Sequence, residues 1–471
     1  MFSRKTHITN QEAIVTMRVH FIAIGGSAMH NLALTLHQKG YQVTGSDDEI
    51  FEPSRTRLDK KGLLPSEMGW NPEKITQNLD AVILGMHARE DNPELIRAKE
   101  LGLKIYSYPE YLYEQTKNKC RIVIGGSHGK TSTTAMVMHV LKHANIKFDY
   151  MVGAQLDGFE TMVSLSDDAK YAVFEGDEYL TSPIDLRPKF HLYNPNIALV
   201  TGIAWDHINV FPTFDIYVEQ FKIFADLVEE NGTFIYFAQD EHLSKIANET
   251  KTSISKQAYN THPYKVVNGV CILTTESADV PLKIFGEHNL QNIAGAKAIC
   301  TAIGISSDLF YEAIATFAGA AKRLQLLASK SDTNIYLDFA HSPSKLKATT
   351  QAVKEQFPNR KLIACMELHT FSSLNKDFLS EYRGTMSKSD VAYVYFNPET
   401  IKHKRLPEIN KEEVKAAFGG NVEVFTSSEQ LISELKKIQY TNSNLLIMTS
   451  GNFSGVDLKS FAQELVEQNI K

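Results

Sequence analysis

Short apolar, β-rich runs alternate with helical patterns along the whole chain, and this alternation constrains the fold more than any other feature. The predicted strands are Val19–Gly25, Gln42–Asp47, Ala81–Met86, Lys104–Tyr108, Arg121–Gly125, Tyr171–Glu175, Ile197–Ile203, Ile335–Phe339, Lys361–Leu368, Val391–Phe396 and Leu445–Thr449. Amphipathic segments such as Asn31–Lys39 and Thr134–His143 lie between many of them. This order is typical of parallel sheets covered by helices on both faces. We therefore predict an α/β protein.

Length and two polar connectors predict how the chain divides into domains. A chain of 471 residues is expected to form two to three domains. The connector EQTKNKC ends one region near residue 119, and a loop that contains Gly319 precedes another strand. We predict a short extension at residues 1–17 and domains at 18–119, 120–326 and 327–471.

Charge and cysteine content narrow the classes of partner. The net charge of −6 argues against a nucleic-acid or anionic-membrane partner. No apolar run reaches 18 residues, so no membrane span is expected. The four cysteines are widely spaced without a CxxC pair, which argues against a structural zinc site and fits a cytoplasmic protein.

The stretch IVIGGSHGKTSTTAM, residues 122–136, has the order of a phosphate-binding loop. An apolar strand ends at Gly125-Gly126, and small residues let backbone N–H groups approach an anion. Lys130 follows and would neutralise phosphate charge, while a hydroxyl at Thr131 or Ser132 would bind Mg²⁺. The alternative is a glycine-rich turn with a surface lysine. The loop is one residue shorter than GxxxxGK[ST].

This shortened loop resembles the GTxGKT/S signature of the Mur ligase family, the ATP-dependent amide-forming enzymes of peptidoglycan metabolism. The resemblance implies a Rossmann-like N-terminal domain that binds a UDP substrate, a P-loop ATPase-like central domain, and a Rossmann-like C-terminal domain that binds the amine and closes on ATP. It implies ATP and Mg²⁺ as cofactors. The ATP-binding residues expected from it are Gly126, Ser127, His128, Gly129, Lys130, Thr131, Ser132, Asn289, Asn292, Arg323 and Asp338.

Carboxylates and a histidine follow two further predicted strands and are candidate metal ligands. YAVFEGDEY places Glu175, Asp177 and Glu178 at a strand end, where hard oxygen ligands suit Mg²⁺. A solvated acidic loop is the alternative. The resemblance implies Thr131 on one Mg²⁺, with Glu175 and His207 on a second. The resemblance also suggests that Lys222 is a carbamylated metal ligand. The alternative is that Lys222 is an ordinary lysine on an amphipathic helix.

Three segments of the second half match family motifs. GEHNLQNIAGA carries Asn289 and Asn292 and resembles the adenine-contacting G-x-H-N-x-x-N, although it also reads as a plain helix start. KRL supplies Arg323 for the γ-phosphate, and YLDFAHSPSK resembles D-D-Y-A-H-H-P. Leu337 and Ser342 depart from that last pattern. The resemblance makes the catalytic residues Lys130, His207, Arg323 and His341.

The N-terminal region resembles the UDP-binding domain of muramate-directed Mur ligases. Gly25-Gly26 ends a strand and opens a helix, a turn that would also fit a dinucleotide site. The resemblance is supported by GMHAREDNPEL near residue 87. The expected UDP-substrate contacts are Gly25, Gly26, Ser27, Ala28, Met29, Ser46, Asp47 and His87.

Substrate choice within the family remains open between related reactions. FEGDEYLTSPIDLRPKFHLYNP and LIMTSGNFSG resemble murein peptide ligases, which join L-Ala-γ-D-Glu-meso-diaminopimelate to UDP-N-acetylmuramate through an acyl phosphate in peptidoglycan recycling. His369 stands where those enzymes carry arginine. The alternatives are a UDP-N-acetylmuramate–L-alanine ligase, a degenerate UDP-sugar-binding relative and an unrelated P-loop ATPase or kinase. A monomer or weak homodimer is expected.

Overall fold

The computed structural model describes residues 16–267, 269–330 and 332–468. It forms two compact units. Of the described residues, the first unit comprises 16–115, 163–166 and 181–186, and the second comprises those of 116–162, 167–180 and 187–468. Of the predicted extension at 1–17, residues 1–15 lie outside the described residues.

The helices and strands alternate along the chain, as the sequence predicted. Those before residue 119 are β1 (Arg18–Ile22), α1 (Ser27–Gln38), β2 (Gln42–Ser46), α2 (Ser54–Asp59), β3 (Ala81–Leu84), α3 (Pro93–Glu100), β4 (Ile105–Ser107) and α4 (Tyr108–Thr116). Those from 120 to 316 are β5 (Cys120–Gly125), α5 (Lys130–His143), β6 (Phe148–Met151), β7 (Val163–Ser164), β8 (Tyr171–Glu175), β9 (Leu180–Ser182), β10 (Asp185–Pro188), β11 (Ile197–Val200), α6 (Phe214–Asp226), β12 (Thr233–Phe237), α7 (Glu241–Glu249), β13 (Ser255–Tyr259), β14 (Tyr264–Val267), β15 (Val270–Thr274), β16 (Asp279–Pro281), α8 (Glu287–Ala302) and α9 (Ser307–Thr316). The remainder are β17 (Gln325–Lys330), β18 (Thr333–Asp338), α10 (Pro343–Gln356), β19 (Lys361–Leu368), β20 (Val391–Phe396), α11 (Pro398–His403), α12 (Lys411–Ala417), β21 (Glu423–Phe425), α13 (Ser428–Lys437), β22 (Ser443–Met448) and α14 (Leu458–Gln468).

The first unit is built on a parallel sheet of order β2-β1-β3-β4. Apolar side chains of β1 and β3 pack against those of α3, which begins at Pro93 because the Asn92 side chain accepts the N–H groups of the first turn. The strand predicted at Val19–Gly25 ends at Ile22, since Ala23 adopts φ 67° and leaves the extended conformation. The loops after β1, β2 and β3 therefore share the carboxyl edge of the sheet.

The second unit contains two mostly parallel sheets. In the first, the strands of this unit run β13-β12-β11-β5-β8-β6 with parallel pairing throughout. In the second, β17-β18-β22-β19-β20-β21, only the β17–β18 pair is antiparallel. One continuous apolar cluster contains side chains of both sheets, among them Ile124 and Met448. The α/β class with mostly parallel sheets is confirmed.

A small antiparallel sheet, β14-β15-β16, was not predicted. Its strand β14 is exposed along its whole length, so it lacks the buried apolar run by which the central strands were recognised. Strand β17 crosses the predicted domain boundary at 326 and pairs with β18.

Candidate active site

A cavity of about 440 Å³ lies in the second unit, at the carboxyl ends of β5, β8 and β11. Ligands bind at this edge in open parallel sheets, because the loops that follow adjacent strands converge there. The cavity is also lined by the amino ends of α5, α8 and α10, so it receives residues from both sheets of the unit.

The loop after β5 has the backbone of an anion cradle. Gly126 has φ 126° and Gly129 has φ 80°, a region that glycine occupies without strain. A Cβ atom on Gly126 would overlap the Thr201 side chain, and one on Gly129 would overlap the Asn292 amide. Helix α5 then begins at Lys130 without a side-chain cap from the described residues, which leaves its first N–H groups facing the cavity.

Lys130 is the cation of this loop. Its Nζ donates to Glu178 Oε2 and to the Gly126 carbonyl oxygen, both at 2.6 Å. Burial lowers the pKa of Lys130, but the carboxylates of Glu178, Asp177 and Glu175 together outweigh burial and leave the pKa above its ordinary value. Burial raises the pKa of Glu178, but the Lys130 charge and the His207 side chain together outweigh burial and leave the pKa below its usual range.

The carboxylate that faces His207 is Glu178. Glu178 Oε1 lies 3.6 Å from His207 Nε2 and accepts a hydrogen bond from the Tyr217 hydroxyl at 3.1 Å. Glu175, the residue that the sequence paired with His207, instead accepts hydrogen bonds from the Thr131 hydroxyl at 2.8 Å and the Gly153 N–H at 2.7 Å. Both carboxylates line the cavity. Glu178 was noted only as part of the acidic run and was missing from the predicted ligand set.

Lys222 lies outside this cavity. Its ammonium is 3.7 Å from Glu249 Oε2, and 39% of its side chain is exposed. That placement corresponds to an ordinary lysine on the surface of α6, and gives the carbamylation hypothesis no support.

Arg323 and Asp338 reach the cavity from the second sheet. Arg323 Nη2 lies 3.4 Å from the Thr131 hydroxyl, and the guanidinium stacks on the Phe339 ring at 4.8 Å. The Asp338 carboxylate accepts the N–H groups of Leu324 and Ala340, each at 2.7 Å. Asp338 therefore fixes the loop that carries Arg323 beside the loop after β18.

Asp206 and His341 form a second charged cluster with Lys345. Asp206 Oδ2 lies 3.5 Å from Lys345 Nζ and 3.9 Å from His341 Nε2. Burial lowers the pKa of His341 to about 3, so its ring is neutral at physiological pH. Asp206 and Lys345 were not predicted. Lys345 stands in the quoted motif YLDFAHSPSK, but its role depends on the fold bringing it beside a residue far away in the chain.

Helix α8 supplies the amide-rich side of the cavity. Asn289, Asn292 and His288 line it, and Asn289 donates to the Phe285 carbonyl oxygen at 2.8 Å. Gln291, which was not predicted, donates to the Thr201 carbonyl oxygen. The ATP-binding residues predicted from α8 and from the segments around Arg323 and Asp338 thus lie in the same cavity as the β5 loop. The predicted ATP-binding residues that line the cavity are Ser127, His128, Gly129, Lys130, Thr131, Ser132, Asn289, Asn292, Arg323 and Asp338.

The predicted UDP-substrate residues lie in the first unit, on the loops after β1, β2 and β3. The N–H of Gly25 donates to Asp47 Oδ2 at 2.6 Å, which ties the first loop to the end of β2. Helix α1 begins at Ser27, and Gly26 provides it no side-chain cap. His87 is exposed in the turn after β3. Burial raises the pKa of Asp47 to about 6.

Three family models match the chain in sequence order. Residues 18–119 match "Mur ligase family, catalytic domain", residues 124–300 match "Mur ligase middle domain", and residues 322–453 match "Mur ligase, glutamate ligase domain". A UDP-N-acetylmuramate–L-alanine ligase of Lactobacillus acidophilus is 32% identical over 391 residues, which cover 80% of this chain and 84% of that one. The chain belongs to the Mur ligase family. It is an ATP-dependent ligase that forms C–N bonds, and the three-domain family architecture is confirmed.

Solved structures of Mur ligases share the fold. A murein peptide ligase of Psychrobacter arcticus matches with a TM-score of 0.64 at 23% identity, over 96% of this chain and 98% of that one. A UDP-N-acetylmuramate–alanine ligase of Thermotoga maritima matches with a TM-score of 0.68 at 22% identity, over 96% of this chain and 99% of that one. Among the helices that the structure describes, none combines the length and hydrophobicity of a membrane-spanning segment.

Proposed function

We propose that this Mur ligase joins the α-amine of a short peptide to the carboxylate of UDP-N-acetylmuramate, with ATP as the energy source and an acyl phosphate as intermediate. The observation that carries the proposal is one cavity that contains the β5 loop, Lys130, Arg323 and the Glu178–His207 pair. Phosphoryl transfer from ATP to another anion requires a loop that holds the phosphates, cations that offset the negative charge, and ligands for Mg²⁺, and this cavity contains candidates for each.

The reaction begins with two anions that repel each other. An oxygen of the substrate carboxylate attacks the γ-phosphorus of ATP, the bond to the β–γ bridging oxygen breaks, and ADP leaves. Lys130 and Arg323 enter the cavity from the two sheets, and they would reduce the repulsion and stabilise the charge on the transferring phosphoryl group. Lys130 is held in place by Glu178 before nucleotide binds.

The second step forms the amide. The amine nitrogen attacks the carbonyl carbon of the acyl phosphate, the bond from that carbon to the phosphate oxygen breaks, and the departing phosphate takes up the proton that the amine nitrogen loses. Burial lowers the pKa of His341 to about 3, so its ring is a neutral imidazole at physiological pH and lacks the imidazolium proton that a general acid would donate. Water has to be excluded because it would hydrolyse the acyl phosphate. Closure of the groups around Arg323 and His341 on the nucleotide would serve that purpose.

The side chains around Lys130 fit a magnesium ion. The Thr131 hydroxyl, the carboxylates of Glu175 and Glu178, and His207 all line the cavity. Within the described residues, no group of three or more His, Cys, Asp or Glu side chains is arranged as a complete metal site. Mg²⁺ is commonly held by one or two carboxylates together with substrate phosphates and water, so the protein would supply only part of its coordination. The ion would polarise the phosphate oxygens, and we propose Glu178 in addition to Glu175 as a ligand.

For the first unit, we propose that its loops bind the UDP part of the substrate. Helix α1 begins at this loop, and the partial positive charge of its amino terminus would favour a diphosphate beside Gly26 and Ala28. Asp47 fixes the Gly25 N–H and shapes this loop. Ser46 and His87 occupy the adjoining strand ends.

A murein tripeptide is the proposed amine, and L-alanine is the second candidate. The tripeptide is supported by the sequence of residues 174–195 and 446–455. L-Alanine is supported by relatives such as the Lactobacillus acidophilus ligase. His369 lies 3.7 Å from the buried Glu367 at the end of β19, so this edge carries an imidazole–carboxylate pair instead of the expected arginine.

A substrate panel tests the proposal. Purified protein receives ATP, Mg²⁺ and UDP-N-acetylmuramate with either L-alanine or L-Ala-γ-D-Glu-meso-diaminopimelate, and both phosphate release and the new UDP-linked product are measured. We expect phosphate release only with both acid and amine, and faster turnover with the tripeptide. Faster turnover with L-alanine would replace the tripeptide assignment. Phosphate release that is independent of UDP-N-acetylmuramate would contradict the proposed reaction.

A further inference from the structure

Lys345 is a second lysine of the same cavity. It lies in the first turn of α10, which follows the β18 loop, whereas Lys130 begins α5 after β5. Both side chains line the cavity, and 23% of the Lys345 side chain is exposed. The two ammonium groups therefore enter one site from different sheets.

The two lysines differ in how fully their hydrogen bonds are used. Lys130 Nζ has two acceptors at 2.6 Å. For Lys345, the acceptor found among the described residues is Asp206 Oδ2, at the long distance of 3.5 Å. An ammonium has three donors, so most of the capacity of Lys345 is free for a ligand. The other oxygen of Asp206 is already engaged by the His207 N–H at 2.8 Å.

The backbone around Lys345 also favours an anion. Ser342 precedes α10 but makes no capping side-chain hydrogen bond with the described residues, and Ser344 lines the cavity beside Lys345. Pro343, the first residue of this helix of 14 residues, has no N–H, and the N–H groups of Ser344 and Lys345 have no side-chain acceptor among the described residues. A charged donor and a helix amino terminus are directed at one space.

We propose that Lys345 binds the phosphoryl group that is transferred from ATP, opposite Lys130. The inference rests on the proposed function, since it assumes that ATP occupies the cavity. Asp206 holds the ammonium loosely until the terminal phosphate replaces it as the nearer anion. Lys345 then contacts a group that ATP has and ADP lacks, and this contact favours binding of ATP over ADP.

Nucleotide affinity tests the inference directly. The dissociation constants of a non-hydrolysable ATP analogue and of ADP, each with Mg²⁺, are measured by calorimetry for the wild type and Lys345→Met. Loss of a charged hydrogen bond is expected to weaken binding of the ATP analogue about tenfold or more, with ADP affinity changed less than about twofold. Lys347→Met is the matched control, because Lys347 is exposed on the same helix and is expected to change neither affinity.

The remaining outcomes separate this inference from the proposed function. Equal weakening of both nucleotides by Lys345→Met, or no weakening of either, would overturn the role of Lys345 while leaving the ligase reaction in place. A wild-type protein that binds no ATP analogue would overturn both. Lys345→Arg is expected to recover part of the preference for the ATP analogue. Circular dichroism of each variant shows whether lost affinity reflects lost folding.

Discussion

Gly129 stands where a side chain would meet the Asn292 amide, and its φ of 80° is one that other residues adopt at a cost. Gly304 has a similar φ of 86°, but nothing lies within 4 Å of its missing Cβ. Gly129→Ala and Gly304→Ala therefore share the backbone penalty, of about 1 kcal/mol. Only the first adds a clash within the proposed phosphate cradle.

We predict that Gly129→Ala weakens ATP binding at least about tenfold, because the new methyl group displaces the loop or Asn292. Gly304→Ala is expected to lower the free energy of unfolding by about the same backbone penalty as Gly129→Ala, and to leave the ATP affinity unchanged. Calorimetric titration and urea denaturation of both variants provide the measurements. Equal ATP affinity in the two variants would show that the loop does not hold the nucleotide.

Lys130 has two separable roles, in charge balance and in phosphate binding. Lys130→Met leaves Glu178, whose side chain is 1% exposed, as a buried carboxylate without its cation. The expected loss of unfolding free energy is about 3–5 kcal/mol. The double variant Lys130→Met/Glu178→Gln removes both charges and should regain much of the lost free energy of unfolding.

We predict that the ligation rate falls at least about a hundredfold in both the single and the double variant, while binding of the UDP substrate is retained.

Lys142→Met is the control for that experiment, since Lys142 is exposed on the same helix α5. Its turnover should stay near the wild-type value. Ligation rates are measured by product formation under saturating ATP. If the double variant is stable and still turns over near the wild-type rate, Lys130 is not part of the phosphate site.

Single residues also show where sequence analysis stops. The Gly-Lys-Thr order predicts that Lys130 and Thr131 open the helix after β5, because that placement depends on neighbouring residues alone. Which acid faces His207 depends on the path of the chain after β8; the acidic run offered Glu175, Asp177 and Glu178, and the family resemblance chose Glu175. The position of Lys345 beside Asp206 depends on how α10 packs, which no local spacing encodes.

At the scale of elements, the helices that begin at the proposed ligand sites differ from most other helices in their amino-terminal capping. Helices α3, α6, α7, α9, α11, α12 and α13 have side-chain caps. The N-cap residues of α1, α2, α5, α8 and α10 make no capping side-chain hydrogen bond with the described residues. The last three begin at the cavity of the second unit, and α1 begins at the proposed diphosphate loop. Uncapped N–H groups are then available to ligand phosphates.

A matched pair of serines tests this distinction. Ser306 accepts the Leu309 N–H at 3.3 Å and caps α9, whereas Ser342 precedes α10 without such a bond. We predict that Ser306→Ala lowers the free energy of unfolding by about 1 kcal/mol and that Ser342→Ala lowers it much less. Urea denaturation without ligand measures both. A larger loss for Ser342→Ala would mean that this serine has a structural role at α10.

The elements that the sequence predicted best are the buried central strands. Strands β8, β19 and β20 have the predicted bounds, because both faces of a central parallel strand are covered and the apolar run is continuous. Strand β11 ends at Val200 instead of Ile203, before Gly202 with φ 152°. The β14-β15-β16 sheet gave no such run and was missed, because β14 is exposed throughout and β15 buries only alternate residues.

At the scale of the whole molecule, buried ion pairs make the second unit sensitive to acid. Burial would raise the pKa values of Asp177, Glu178 and Asp206, but nearby lysines, histidines and hydrogen bonds together outweigh burial and place all three pKa values below the ordinary range. A carboxyl group with a lowered pKa in the folded state stabilises the protein above its unfolded pKa, near 4, and that stabilisation is lost as the pH falls.

We predict that the free energy of unfolding decreases as the pH falls from about 5 to about 3. Asp177→Asn, which removes the acid paired with Lys189 at 2.6 Å, should make this dependence shallower. Urea denaturation at a series of pH values gives the slope, with the exposed Asp377→Asn as control. An unchanged slope in Asp177→Asn would show that this pair does not contribute to acid sensitivity.

The central claim is that ATP binds in the cavity shared by the two sheets of the second unit. A crystal structure with Mg²⁺ and a non-hydrolysable ATP analogue tests it most directly. The account predicts the terminal phosphate on the N–H groups of the β5 loop, between Lys130 and Arg323, with the base beside Asn289 on α8. An analogue bound elsewhere on the protein, with the β5 loop empty or blocked, would contradict it.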